Sequence, residues 1–105
     1  MRRYASLRRT AEFARLRQRG RRFNTGALTV YRSEPNASDR TAVVGVTVAK
    51  PVGTAVVRNR VRRRVAAILH EMLEGRRLRL LVVARPAAAA APFAQLRNEL
   101  ERALV

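Results

Sequence analysis

Five arginines and an asparagine fall within seven consecutive positions: Arg58, Asn59, Arg60, Arg62, Arg63 and Arg64. A guanidinium is a planar fork that binds phosphate oxygens in pairs and stacks on bases. The chemistry on offer is the grip of a polyanion. The same stretch keeps an apolar rhythm, Val57, Val61, Val65, Ile68, Leu69 and Met72, at the spacing of one helix face. A disordered basic tail would carry no such rhythm. The pattern predicts a folded helix, docked on a core, with a dense positive face turned outward. No acid occurs from Val57 to His70, whereas a solvated charged face normally mixes signs. Arg58/Arg62 and Arg60/Arg64 are like charges four apart, each pair costing roughly 0.2–0.5 kcal/mol in an isolated helix. Basic residues near a helix start also oppose its dipole. A sequence chosen only for stability would place carboxylates there, so the arginines point to phosphate contact.

The whole chain shares the bias. It has 105 residues, enough for one small domain, and is 48% hydrophobic, which argues for folding. Its net charge is +16, which would strain a compact state unless a polyanion answers it. Nucleic acid is the first candidate and an anionic membrane the second. Only Lys50 among the 23 basic residues is lysine. Arginine in place of lysine fits either its phosphate-gripping fork or genome composition, as the Ala87–Ala91 run hints, but genome composition does not explain the net charge. There is no cysteine, hence no disulfide framework or thiolate metal site, and no apolar run of membrane-spanning length. An arginine-rich start also fits a transit peptide, but Glu12 interrupts it and the chain has no length to spare for a leader. A cytoplasmic protein is expected.

Catalytic groups are scarce. His70, the only histidine, has no carboxylate at catalytic spacing; Glu74 four residues on reads as a surface pair. Asp39, Glu71, Glu74, Glu99 and Glu101 are scattered and do not predict a two-metal site, which needs carboxylates converging on ions roughly 4 Å apart. The turn at Gly53 lacks the G-x-x-x-x-G-K pattern of a nucleotide loop. No residue is assigned to catalysis and none to a metal.

The elements that must position the arginines follow. Met1–Arg9 reads as a flexible basic arm. Thr10 caps a short helix with Phe13 and Leu16 inward and Gly20 closing it. Asn24–Arg32 alternates as a strand, Leu28 and Val30 on one side, Ala27, Thr29 and Tyr31 on the other. Ser33–Asp39 is a loop. Thr41–Ala49 is a second strand, with Val44, Val46 and Val48 opposite Val43, Gly45, Thr47 and Ala49. The milder faces of the two strands would floor a groove. Gly53–Thr54 opens the long helix, which runs to about Glu74 with Gly75 as its stop. Leu78–Arg85 is a third strand, Pro86–Ala91 a connector, and Pro92 starts a last helix with Phe93, Leu96, Leu100 and Leu104 inward. The order predicts a single α/β domain over residues 1–105, without repeats.

The run K-x-x-G-x-A-V-x-R-N-R-x-[RK]-R, here Lys50, Gly53, Ala55, Val56, Arg58, Asn59, Arg60, Arg62 and Arg63, resembles the signature of the bacterial ribonuclease P protein subunit. The early helix with Phe13, the strand ending at Val30–Tyr31, the V-A-R-P at Val83–Pro86 and the final amphipathic helix fall in family order. The resemblance implies an α+β sandwich: a small mixed sheet of three to four strands with three helices, in the class named for a ribosomal protein's second domain. It implies a left-handed β-α-β crossover, against the usual rule. It also implies a ribonucleoprotein endoribonuclease that removes the 5′ leader of precursor tRNA. In it, a catalytic RNA partner holds the magnesium ions, and the protein binds that RNA and the leader. Lys50, Arg58, Asn59, Arg60, Arg62, Arg63 and Arg64 would face RNA. Phe13 and Tyr31 match groove aromatics, and Thr29 and Thr47 would floor the groove. The family's second aromatic, one turn after Phe13, is here Arg17, which would substitute a phosphate contact. Its second lysine after Lys50 is Pro51, and a later basic position is Ala66.

The rival is a small ribosomal or other structural RNA-binding protein, from which the Lys50–Arg63 signature discriminates. An anionic-membrane protein would need aromatics or leucines flanking lysines, and no strands. No membrane is expected as a partner, and no protein partner is assigned.

Overall fold

Residues 4–105 are described in the structure, a computed structural model. The chain runs β1 (Tyr4–Ser6), α1 (Thr10–Arg19), β2 (Arg21–Asn24), β3 (Leu28–Ser33), β4 (Ala42–Val48), α2 (Ala55–Met72), β5 (Arg79–Ala84) and α3 (Phe93–Leu104). Short 3₁₀ turns at Lys50–Val52 and Pro86–Ala89 precede α2 and α3. One mixed sheet has the order β1-β4-β5-β3-β2. β4 is parallel to β1 and β5, while β3 is antiparallel to β5 and β2. The central β5 is apolar on both faces, Leu80, Leu81 and Val82 all buried, as a strand covered on both sides must be.

The two faces differ. On one, α2 buries Val61, Val65, Ile68 and Leu69, and α3 buries Leu96, Leu100 and Leu104, against Leu28, Val30, Val44, Val48, Leu80 and Val82. On the other, α1 lays Leu16 over Val43, Leu81 and Leu7, with Phe13, Tyr31 and Val83 packed around them. The expected sandwich of three helices and a mixed sheet is present. No helix among the described residues is long and apolar enough to cross a membrane.

Several boundaries differ from expectation. The sheet has five strands, not three to four. Tyr4–Ser6, expected in a flexible arm, pairs with β4, and the Leu7 amide donates to the Val44 carbonyl at 2.9 Å. Tyr4 and Leu7 are both buried, so two apolar anchors outweigh the surrounding arginines. Met1–Arg3 lie outside the described residues. The single strand expected over Asn24–Arg32 is instead a hairpin, turning at Gly26, whose φ is 102°. Ala27 lies in the main core there. Arg9, not Thr10, is the N-cap of α1 and makes no side-chain capping bond. Phe93, expected inward, is 42% exposed.

A carboxylate holds the hairpin. Glu99 of α3 is 1% exposed and accepts from Thr25 Oγ1 at 2.8 Å, Ala27 N at 2.9 Å and Gln95 Nε2 at 2.8 Å. A second polar centre ties α1 to the loop after β3. Arg79 donates through Nε and Nη2 to both Asp39 oxygens, at 2.9 and 3.0 Å, and through Nη1 to Glu12 at 3.1 Å. The Arg79 hydrogen bonds, aided by the Asn36 amide, hold the Asp39 carboxyl below its ordinary range.

Both anchors can be tested by substitution. Glu99→Ala leaves the buried Ala27 amide unpaired, while the Thr25 hydroxyl keeps the Leu28 carbonyl, and should cost roughly 1–3 kcal/mol by urea denaturation. A loss below about 1 kcal/mol would mean that the hairpin repacks without it. For Asp39, the folded pKa lies below the unfolded value of about 3.9. Its contribution is therefore present above that value and is lost as pH falls through the folded pKa. Asp39→Asn should flatten the acid limb of the stability–pH curve below about pH 4. An unchanged limb would show that the pair does not couple to folding.

Candidate nucleic-acid interface

A tight turn aims the start of α2. Gly53 has φ 152°, and a Cβ there would stand 3.0 Å from Val57 Cγ1, so only glycine fits without strain. Thr54 then caps the helix, its hydroxyl accepting from Val57 N at 3.4 Å. No acid occupies the first turn. Lys50 is exposed on the 3₁₀ turn leading in.

The apolar stripe fixes how the arginines fan out, and they do not share one role. Asn59, Arg62 and Arg63 are exposed, with Arg62 Nη1 donating to Asn59 Oδ1 at 2.9 Å. Arg60 and Arg64 lean the other way and are half-buried. Arg60 Nη2 donates to the Ala89 carbonyl at 3.1 Å and Arg64 Nη1 to the Ala91 carbonyl at 3.4 Å. They clamp the connector between β5 and α3 as well as adding positive potential. Arg58 is half-buried, its Nε without an acceptor.

Strand register assembles the groove on the α1 face. Thr47 of β4, Val83 of β5, Thr29 of β3 and Asn24 of β2 form one row across the sheet. Gly45, Leu81, Tyr31 and Arg22 form the next. Helix α1 crosses this face with Phe13 seated on Gly45, where a Cβ would come within 2.7 Å of the ring. Arg17, one turn later, is exposed. Thr47 is half-buried, its hydroxyl without a partner, while Thr29 is buried and its hydroxyl donates to Asn24 Oδ1 at 3.1 Å.

Arg62 meets this face as well. It lines a 190 Å³ cleft with Phe13, Leu7, Gly45 and Val46, so the arginine helix and the groove share a boundary. Tyr31 differs from expectation: it is half-buried and packs on the small core beneath α1 instead of standing free. Arg22 and the groove position of Asn24 escaped the sequence reading because β2 was not separated from β3; only cross-strand pairing places them beside Tyr31 and Thr29. Among the described residues, no group of three or more His, Asp or Glu side chains gathers as a metal site.

The family described as Ribonuclease P matches residues 1–105. The chain belongs to the ribonuclease P protein family. It is 42% identical over 100 residues to the ribonuclease P protein component of Acidothermus cellulolyticus, covering 93% of this chain and 83% of that protein. With the Thermus oshimai component it shares 44% over 99 residues, covering 94% of this chain and 62% of that protein. Among solved structures, a Staphylococcus aureus RNase P protein mutant superposes with TM-score 0.84 at 26% identity, over 94% of this chain and 84% of that one. The Thermotoga maritima RNase P protein, at 19% identity, shares the fold with TM-score 0.79 over 94% of each chain. As a ribonuclease P protein, the chain is part of an endoribonuclease, a ribonucleoprotein with an RNA partner.

The split among the arginines is testable by salt dependence. Removing one phosphate-binding side chain flattens the log–log slope of RNA binding by about 0.7–0.9. Replacing exposed Arg62 and Arg63 by alanine should flatten it by roughly 1.5 and leave the melting temperature unchanged. Arg60→Ala should lower the melting temperature too, because it releases the connector. An unchanged slope in the double variant would place both arginines in solvent.

Proposed function

We propose that this chain grips the catalytic RNA of ribonuclease P along the crest of α2 and holds the 5′ leader of precursor tRNA in the groove under α1. Asn59, Arg62 and Arg63, with Lys50 and Arg58, meet RNA phosphates, and Arg60 and Arg64 add potential from the connector side. Phe13, Tyr31, Thr47, Asn24 and Arg17 contact the leader, the aromatics by stacking and Arg17 by charge. Thr29 acts through the Asn24 amide it holds. The observation that carries this is the shared cleft: Arg62 of the arginine helix and Phe13 of the groove line the same space. An RNA path can run from one to the other without leaving the protein.

In this reading, bond cleavage and its magnesium ions belong to the RNA partner. The protein's carboxylates are largely committed to holding the fold: Asp39 and Glu12 on Arg79, Glu99 on the hairpin, Glu71 and Glu101 on Arg97. Work on precursor tRNA puts the protein in the cytoplasm.

The test uses the assembled ribonucleoprotein, precursor and mature tRNA, and one salt concentration. The protein alone should not cleave the precursor, and adding it to a bacterial ribonuclease P RNA should raise cleavage at low magnesium. Tyr31→Ala should weaken precursor binding by about 1–3 kcal/mol, the usual value of one stacked base, and mature tRNA binding far less. Because Tyr31 also packs beneath α1, some stability is lost as well, and a melting curve measures that separately. Equal losses on both substrates would remove Tyr31 from the leader path. Robust cleavage by RNA-free protein would overturn the division of labour.

A further inference from the structure

The crest of α2 does not account for all the positive charge. An 18-residue helix is about 27 Å long, and β4 delivers its arginine-rich start to one end of the sheet and its last turn to the other. At that far end a second set of arginines converges from separate segments. Arg19 closes α1, Arg21 opens β2, Arg32 lies in β3, and Arg76 and Arg77 form the turn between α2 and β5. Together they line an open cavity of 410 Å³ whose only lining Asp or Glu is Glu34.

The way these guanidiniums are held is informative. Arg32 Nη1 donates to the backbone oxygens of Ala103 at 3.3 Å and Val105 at 3.2 Å. Arg76 Nη1 donates to the Leu104 carbonyl at 3.0 Å. Arg77 donates through Nε to the Asp39 carbonyl at 2.8 Å and through Nη2 to that of Asn36 at 3.3 Å. Backbone carbonyls of Ala103, Leu104, Asp39 and Asn36 fix the planes without neutralising them, although the Asp39 carboxylate also lies within electrostatic reach of Arg77. Capping the end of α3 explains Arg32 and Arg76 by themselves. It explains neither the convergence of Arg19, Arg21 and Arg77 on the same cavity nor the scarcity of acids there, which raises self-repulsion.

We propose that this end of the molecule is a second phosphate-binding surface that grips the backbone of a double-helical RNA stem. Oriented forks suit phosphate oxygens. None of the residues lining the cavity is aromatic, so it offers no platform for stacking unpaired bases. Duplex RNA is recognised mainly by shape and by backbone contacts. With α2 between them, the two surfaces let the protein brace two RNA elements roughly 25 Å apart. The inference rests on RNA being the partner and not on which RNA it is.

Arg19 and Arg21 are exposed and stand outside the α3 cap; Arg21 also lies over the Phe23 ring at 5.6 Å. The test neutralises both, Arg19→Gln with Arg21→Gln, in the full chain, with a melting curve to confirm folding. Three probes are titrated over a salt series: a blunt RNA duplex, a single-stranded leader oligonucleotide, and a bacterial ribonuclease P RNA. The duplex slope should flatten by roughly 1.5, and oligonucleotide binding should not change. On the large RNA, the effects of this pair and of Arg62→Ala with Arg63→Ala should add, because the sites are far apart. Unchanged duplex binding would overturn the proposal. So would an equal loss on the oligonucleotide, which would assign the patch to the leader path. So would loss of binding to phosphatidylglycerol vesicles with the duplex unaffected. The duplex arm decides the matter even if the α2 variants leave ribonuclease P RNA binding unaltered, a result that would count against the proposed α2 interface alone.

Discussion

The docking of α2 onto the sheet is the interaction on which the rest depends. Its first ten residues carry five arginines and no acid, an arrangement that opposes both its neighbours and the helix dipole. Val61, Val65, Ile68 and Leu69 are buried to within 1% exposure on the other side. Fully burying such a side chain is worth about 1.5–3 kcal/mol, several times the few tenths that each like-charge pair costs. Burial therefore wins, and the helix holds a charge density that an isolated peptide would resist. The same burial fixes the rotation of the helix, so it decides which arginines reach solvent and which turn toward the connector.

A chain with 23 basic and seven acidic residues must also choose where its acids go. Most of them are committed to the scaffold. Asp39 and Glu12 flank Arg79 where α1 meets the sheet, and Glu99 sits under the hairpin. Other arginines are held by carbonyls: Arg60 and Arg64 on the connector, Arg32 and Arg76 at the end of α3, Arg77 on the loop after β3. Carbonyl anchors orient a guanidinium without cancelling its charge, which suits a protein whose partner is a polyanion. The surface thus stays positive at both ends of α2.

Helix α2, strands β4 and β5 and the inward stripe of α3 were legible from periodicity, because each buries one continuous face and the pattern is long enough to read. The helix stop at Gly75 and the turn at Gly53 were legible because glycine adopts their positive φ most readily. β1 and β2 were not legible. Each is three or four residues long at a sheet edge, and arginines mask the few apolar anchors. Glu99 read only as one of several scattered acids, since nothing local marks a carboxylate whose hairpin partners, Thr25 and Ala27, lie more than seventy residues away in the chain.

By itself, the sequence determined the class of partner, the family signature and the helix that presents it, because charge and periodicity are local properties. Tertiary structure alone decided which arginines are exposed, that Tyr31 packs as well as faces the groove, that Asn24 and Arg22 join Thr29 and Tyr31, and that Arg62 borders the same cleft as Phe13. Those facts depend on strand register and on helices crossing a sheet, which bring together residues with no shared spacing along the chain.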